Sequence, residues 1–298
     1  MTEILKDGFR LAKWSSGELL IVESKRLSEC VVYCNENRIP WLIISPYHGY
    51  TLSDIDFLRE CRHVTRIHIQ ECSADLSGLY SLPLLSWLSV IFQHKLDFSR
   101  MPSLTDLSTD WNLRIDDGLL ASKGLARLWL RGYKPKGQNL QRIEALTILD
   151  DLHIVLSPIS TTLGLENVPR IRRLGLSYCR NLTDIKSLKE LPVLEELELD
   201  HCKRIADLTF LRELKHMRKV IMSDCGSISS LGFIKQLRHL EFFSFVQTTV
   251  LDGDMTPLFG LRYAGFRNNR SYSHTREHVK QVIETRTGGN SLYPKPAS

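Results

Sequence analysis

No apolar run stands among the first residues of the sequence. Met1 to Phe9 carries Glu3, Lys6 and Asp7, so no secretory signal is expected. The sequence also lacks a long apolar run. The longest uncharged stretch, Leu76 to Gln93, is broken by Pro83 and by Ser77, Ser81, Ser86 and Ser89, and its leucines fall at repeat positions. A core segment is expected there, and no membrane span. The seven cysteines include no Cys-x-x-Cys and no paired spacing. An odd, unpaired set predicts free thiols in a reducing, cytoplasmic setting. A Ser/His/Asp set, a glycine-rich phosphate loop and metal-ligand spacing are all missing. His68 and His153 share a predicted column, but four strands or roughly 20 Å apart. The expectation is a non-enzyme without cofactor or metal. Net charge is scarce outside one end: Arg262–Ser298 holds seven Lys or Arg against two Asp or Glu, and the other 261 residues hold 32 of each sign. A nucleic-acid solenoid would carry a basic stripe along its body, so no nucleic-acid partner is expected. The basic end reads as a solvated segment.

What the chain does have is a repeat. The pattern Leu-x-x-Leu-x-Leu is cleanest at Leu194, Leu197, Leu199 and returns 23 residues away at Ile171, Leu174, Leu176, at Met217, Val220, Met222, and again at Leu240, Phe243, Phe245. Looser copies start at Ile39, Val64, Leu85, Leu104, Leu125, Leu149 and Leu261. Each triplet ends in the two-residue alternation of a short strand. The following residues are spaced by three, as in Ile205, Leu208, Leu211, Leu214, which suits tight turns or 3₁₀ segments. A period of this length predicts a solenoid, whose units bury their apolar sides against one another.

Cys72, Cys179, Cys202, Cys225, Asn112 and Asn269 all stand eight residues after their anchors. Leu-x-x-Leu-x-Leu-x-x-Asn/Cys resembles the leucine-rich repeat over roughly residues 39–270, in a unit type similar to bacterial internalins and to phosphatase regulatory subunits. The resemblance implies an α/β solenoid: a horseshoe of eleven units with a parallel concave sheet and a convex side of turns and 3₁₀ segments. It also implies that the Asn or Cys turns inward and bonds the turn backbone. Tyr47, Gln93, Tyr133, Ser157 and Thr248 depart from the pattern, so that ladder is expected to break there.

A solenoid needs covers at its ends. Residues 1–38 are expected to form an N-terminal cap, a hairpin around Ser15-Ser16-Gly17 followed by a helix over Leu27–Asn35 with Val31 and Val32 facing in. The solenoid would occupy 39–272. A capping helix would follow within 273–286, with Ser273 as N-cap and Val279, Val282 and Ile283 inward, and then a flexible tail over 287–298.

In such strands the third, fifth and seventh residues of each unit face the concave side. The third reads Trp41, Arg66, Trp87, Asp106, Arg127, Asp151, Arg173, Glu196, Lys219, Phe242, Tyr263, with charge alternating from Asp106 to Lys219. This column reads as a self-neutralising ladder whose exposed pairs each contribute little. Trp87 and Trp129, with Trp111 near the rim, stand where a solvated face needs no indole, and Arg127 and Arg131 flank Trp129. Trp and Arg are enriched in binding hot spots. Trp41 is the indole expected to pack on the cap. The partner-binding set is therefore Trp87, Asp106, Asp110, Trp111, Arg127, Trp129, Arg131, Asp151, His153, Glu196, Glu198 and Asp200. The last three read by default as a solvated acidic patch, and functionally as the contact for a basic partner. The expected function is a monomeric scaffold gripping a protein partner, a toxin neutralised by an immunity protein being the favoured case. The alternatives are a secreted effector or adhesion module and a phosphatase regulatory subunit.

Overall fold

The computed structural model describes residues 2–293 except Ser15, Ser16, Gln93, Arg114, Ala206 and Gly289. The expected Ser15-Ser16 turn, the ladder position at Gln93 and the tail beyond Tyr293 therefore lie outside the described residues. The chain divides into two units, residues 1–131 and 132–298.

The first unit opens with three antiparallel strands, β1 (Thr2–Lys6), β2 (Phe9–Trp14) and β3 (Gly17–Ile21). Helix α1 (Leu27–Glu36) follows. The parallel strands β4 (Trp41–Ile44), β5 (Arg66–Ile69), β6 (Trp87–Val90), β7 (Asp106–Asp110) and β8 (Arg127–Arg131) pair in chain order, β3 joining β4. β1 has no counterpart in the two-strand cap expected from sequence. Helix α1 buries Cys30, Val31, Tyr33 and Cys34, but Val32 is exposed, against expectation. At about 100° per residue the four buried side chains share one broad arc centred between Cys30 and Cys34, and Val32 falls opposite it.

The second unit holds β9 (Asp151–Val155), β10 (Arg173–Ser177), β11 (Glu196–Asp200), β12 (Lys219–Ser223), β13 (Phe242–Val246) and β14 (Tyr263–Phe266), all parallel and in chain order. Its register is the sequence period made visible: Leu174 pairs with Leu197, Leu197 with Val220 and Val220 with Phe243. In both units the return segments are 3₁₀ turns such as Asp56–Glu60, Ser77–Ser81, Thr209–Glu213 and Gly232–Gln236. The three-residue spacing places Ile205, Leu208, Leu211 and Leu214 in the core together. One return is instead a short helix, α2 (Asp116–Ala121). Each buried Leu or Ile stabilises its coil by about 1.5–3 kcal/mol.

The inward ladder follows the motif in part and uses residues outside it. Cys202 Sγ donates to Leu176 O at 3.3 Å and Cys225 Sγ to Leu199 O at 3.3 Å. Asn112 Nδ2 donates to His94 O at 3.2 Å. Two of the expected breaks are filled by hydroxyls. Ser157 Oγ donates to Tyr133 O at 2.6 Å, and Thr248 Oγ1 accepts from Cys225 N at 3.1 Å. A small group with one donor and one acceptor meets the same backbone need. Asn269, a motif match, is exposed instead and closes its own turn onto Ser271.

The C-terminal cover also differs in detail. Helix α3 is Arg276–Thr287, and its N-cap is Thr275, whose Oγ1 accepts from His278 N at 3.2 Å. Ser273 serves the last coil, accepting from Met255 N at 3.0 Å. Val279 and Ile283 are buried, while Val282 is half-buried. The expected flexible tail is held at its start, because Tyr293 is buried and its hydroxyl donates to Ala264 O at 2.7 Å. The basic end is likewise structural in part: Arg286 donates to the carbonyls of Phe259 and Gly260 at 3.0 and 2.9 Å, and to that of Leu261. Among the described residues, no helix is long and apolar enough to cross a membrane.

Candidate functional site

Strand alternation decides what the sheet shows on the side away from its leucine core. On β8, Leu128 and Leu130 are buried, so Arg127, Trp129 and Arg131 share the outward face. On β7, Leu107 and Thr109 are buried, leaving Asp106, Ser108 and Asp110 opposite them: Asp106 pairs with Arg127, Ser108 with Trp129 and Asp110 with Arg131. Both outer positions are ion pairs. Arg131 grips Asp110 with two hydrogen bonds of 2.6 Å, and Asp106 accepts from Arg127 Nε. The Asp110 bond holds the Arg131 guanidinium more firmly protonated than usual. Trp129, half-buried, rises between these pairs opposite the small Ser108. Trp111 follows β7, and its backbone N–H donates to Arg131 O at 2.8 Å, fixing it beside the same edge.

Trp87 belongs to a different cluster. Trp41 is buried in a second apolar nucleus with Ala12, Leu19, Ile21 and Ile43, against which Trp14 and Trp87 pack. Ring centroids are 5.1 Å between Trp14 and Trp41 and 5.4 Å between Trp41 and Trp87. The capping strands thus cover the outward face of β4 and much of β5, where His68 is buried as well. Trp41 packs on the cap as expected, but Trp87, expected to stand open, is drawn into the same cluster, because alternation predicts only which side of the sheet a residue takes. Trp87 is the half-buried border of the covered patch. Trp14 was missed from sequence. Its signal was the alternation of Ala12 with Trp14 in β2, two residues on one face.

In the second unit, the outward charges form separate pairs rather than one continuous ladder. Arg173 Nε lies 2.8 Å from Asp151 and Lys219 Nζ 3.3 Å from Glu196. Burial raises the Asp151 carboxyl, but hydrogen bonds from His153 and Arg173 outweigh it and hold the group below the usual carboxylate range. His153 lies over Gly175, where an added Cβ would stand 2.2 Å from its Nδ1. Asp200 contacts His201 Nδ1 at 2.7 Å, and Glu198 is exposed. The three carboxylates expected to hold a basic partner are thus unequal, with two already engaged. His201 and Tyr178 were also missed. They directly precede ladder cysteines at equivalent repeat positions, take left-handed backbone with φ of 52° and 55°, and stack at 4.2 Å. Of the twelve expected residues, the structure gathers Asp106, Asp110, Trp111, Arg127, Trp129 and Arg131 at β7 and β8. Trp87 stands one strand away on β6. Asp151, His153, Glu196, Glu198 and Asp200 stand in the second unit. Among the described residues no cluster of three or more metal-ligand side chains occurs.

No family model matches the chain, and no curated protein is similar to it in sequence. Solved structures are similar in fold. An internalin from Listeria monocytogenes str. 4b F2365 aligns with TM-score 0.59 and 19% identity, over 85% of this chain and 73% of its own. A leucine-rich-repeat protein of Leptospira interrogans aligns with TM-score 0.60 and 17% identity, over 80% of this chain and 62% of its own. TLR13, in a complex with ssRNA13, aligns with TM-score 0.55 and 15% identity, over 83% of this chain and 42% of its own. The chain thus spans less than two thirds of the latter two. Its fold is that of the leucine-rich repeat.

Proposed function

We propose that this leucine-rich-repeat chain is a non-catalytic binding module that holds a protein partner against the outward face of β7 and β8. The observation that carries this reading is Trp129, half-exposed on a hydrogen-bonded sheet between two fixed Arg–Asp pairs. Alternate residues on one strand lie about 6–7 Å apart, so the three positions of β8 present a patch the size of a hot spot. The pairs cancel their net charge. They leave a pattern of oriented donors and acceptors, which selects partners by complementarity rather than by bulk attraction. The indole loses little conformational freedom on binding, because only two side-chain torsions have to be fixed.

The finer reading is a bacterial, cytoplasmic immunity protein whose partner is a toxin, covered at its active surface by this face. Support for it is the rigid sheet together with seven free, buried cysteines, which suit a reducing compartment. The test is to recover the bound partner with the wild-type chain as bait and to measure its affinity for Trp129→Ala. The expected loss is about 2 kcal/mol or more, roughly 30-fold. Equal affinity of the two chains would remove β8 from the interface. The toxin reading has its own measurement: growth of cells expressing the recovered partner, with and without this chain. Unrelieved inhibition counts against neutralisation even where binding is tight.

A further inference from the structure

We propose that the second unit carries a binding site for a small tetrahedral oxyanion, of the phosphate or sulfate type, on its 3₁₀ side and away from the sheet face. Two successive coils repeat the same cations 23 residues apart: Arg212 with Lys235, Lys215 with Arg238 and His216 with His239. Their local folding is alike. Leu211 and Leu214 in one coil, and Ile234 and Leu237 in the next, are buried and turn the intervening polar residues outward. Neighbouring coils are spaced like their strands, about 4.8 Å apart, so the repeated residues become neighbours in space. Lys215, Lys235, Gln236, Arg238 and His239 line a cavity of about 500 Å³, and no carboxylate lines it.

The pairing of charges sets this patch apart. On the sheet face Arg173 and Lys219 have carboxylate partners, as do Arg172, Arg218 and Arg262 at the ends of these strands. Among the described residues, none of the cations of the patch has an ion pair; Lys215 Nζ donates only to a carbonyl, Arg212 O, at 3.1 Å. The carboxylates whose titration they influence are committed elsewhere. Asp207 accepts from Thr209 N at 2.9 Å and Asp254 from Thr256 N at 2.9 Å, each closing its own turn. Glu213, beside Arg212 in sequence, does not line the cavity. Three permanent cations and a glutamine amide around one concavity supply point-charge and planar donors, the set that recognises phosphoryl oxygens. Two coils give a patch too small to follow a long polyanion, and one oxyanion matches its span.

The test is a titration of the full chain with inorganic phosphate at constant ionic strength, followed by backbone amide NMR shifts, with inorganic sulfate as a second arm. Saturable shifts confined to residues 212–216 and 235–239 are expected, with both anions. The variant Lys235→Gln with Arg238→Gln should weaken binding at least about tenfold, while Lys189→Gln, whose residue already pairs with Glu190, leaves it within about twofold. These side chains are exposed, so an unchanged melting curve shows that the variants are folded. Shifts that do not saturate, that spread over all basic surface, or that persist unchanged in the double variant would overturn the site. So would tight binding of a long sulfated polysaccharide with no saturable response to phosphate, which would mark a macromolecular surface instead.

Discussion

Acidification should unfold the first unit through two buried histidines. His68 and His94 are each about one-tenth exposed, and burial pushes both imidazoles down from 6.5 to about 4. His68 feels His48 as a further lowering influence; at His94, Asp110 pulls weakly the other way. The folded chain therefore binds fewer protons than the unfolded chain between these values. Their stabilising contribution is complete above about pH 6.5 and is lost as pH falls towards 4. A depression of 2.5, from 6.5 to about 4, costs each group about 2–3 kcal/mol at pH 4.5. Two such groups amount to much of a typical domain's margin. The assay is built into the sequence, since all five tryptophans, at 14, 41, 87, 111 and 129, lie in the first unit. Indole fluorescence in urea, measured at pH 7 and pH 4.5, reports that unit alone. His68→Phe keeps a ring against Trp14 and Trp87 and removes the titration, so it should abolish about half of the acid loss. His68 Nδ1 has no hydrogen-bond partner among the described residues, so the replacement forfeits no bond there. An unchanged acid loss in His68→Phe, or none in the parent chain, would refute the reasoning.

Gly164→Ala should destabilise the second unit by about 2–5 kcal/mol, from positive-φ strain and overpacking together. Gly164 has φ of 106°, and a Cβ there would stand 2.3 Å from the Gln141 backbone. Gly260→Ala, with open space around it, is the control, and an equal drop in urea midpoint for both would contradict this account. The cysteines should resist alkylation at pH 8 until the chain unfolds, because all seven are buried and burial pushes the Cys225 thiol up to about 12. Stoichiometric labelling of the native chain within minutes would count against that packing.

Much of this fold was legible because a period-23 pattern maps one residue onto one place in every coil. Leu174, Leu197, Val220 and Phe243 are neighbours in the sheet because they are equivalent in sequence, and burial of their side chains is what stacks the coils. The alternation within each strand likewise assigned Arg127, Trp129 and Arg131 to one face. Periodicity says nothing about what covers that face. Packing of Trp14 from a capping strand decided that Trp41 and His68 are closed off while Trp129 is not. Hydrogen-bond need, rather than residue identity, decided that Ser157 and Thr248 continue a ladder written in Asn and Cys, and that Asn269 leaves it. Contacts between segments distant in sequence, such as Tyr293 on Ala264, have no period to announce them; only the folded chain brings those groups together.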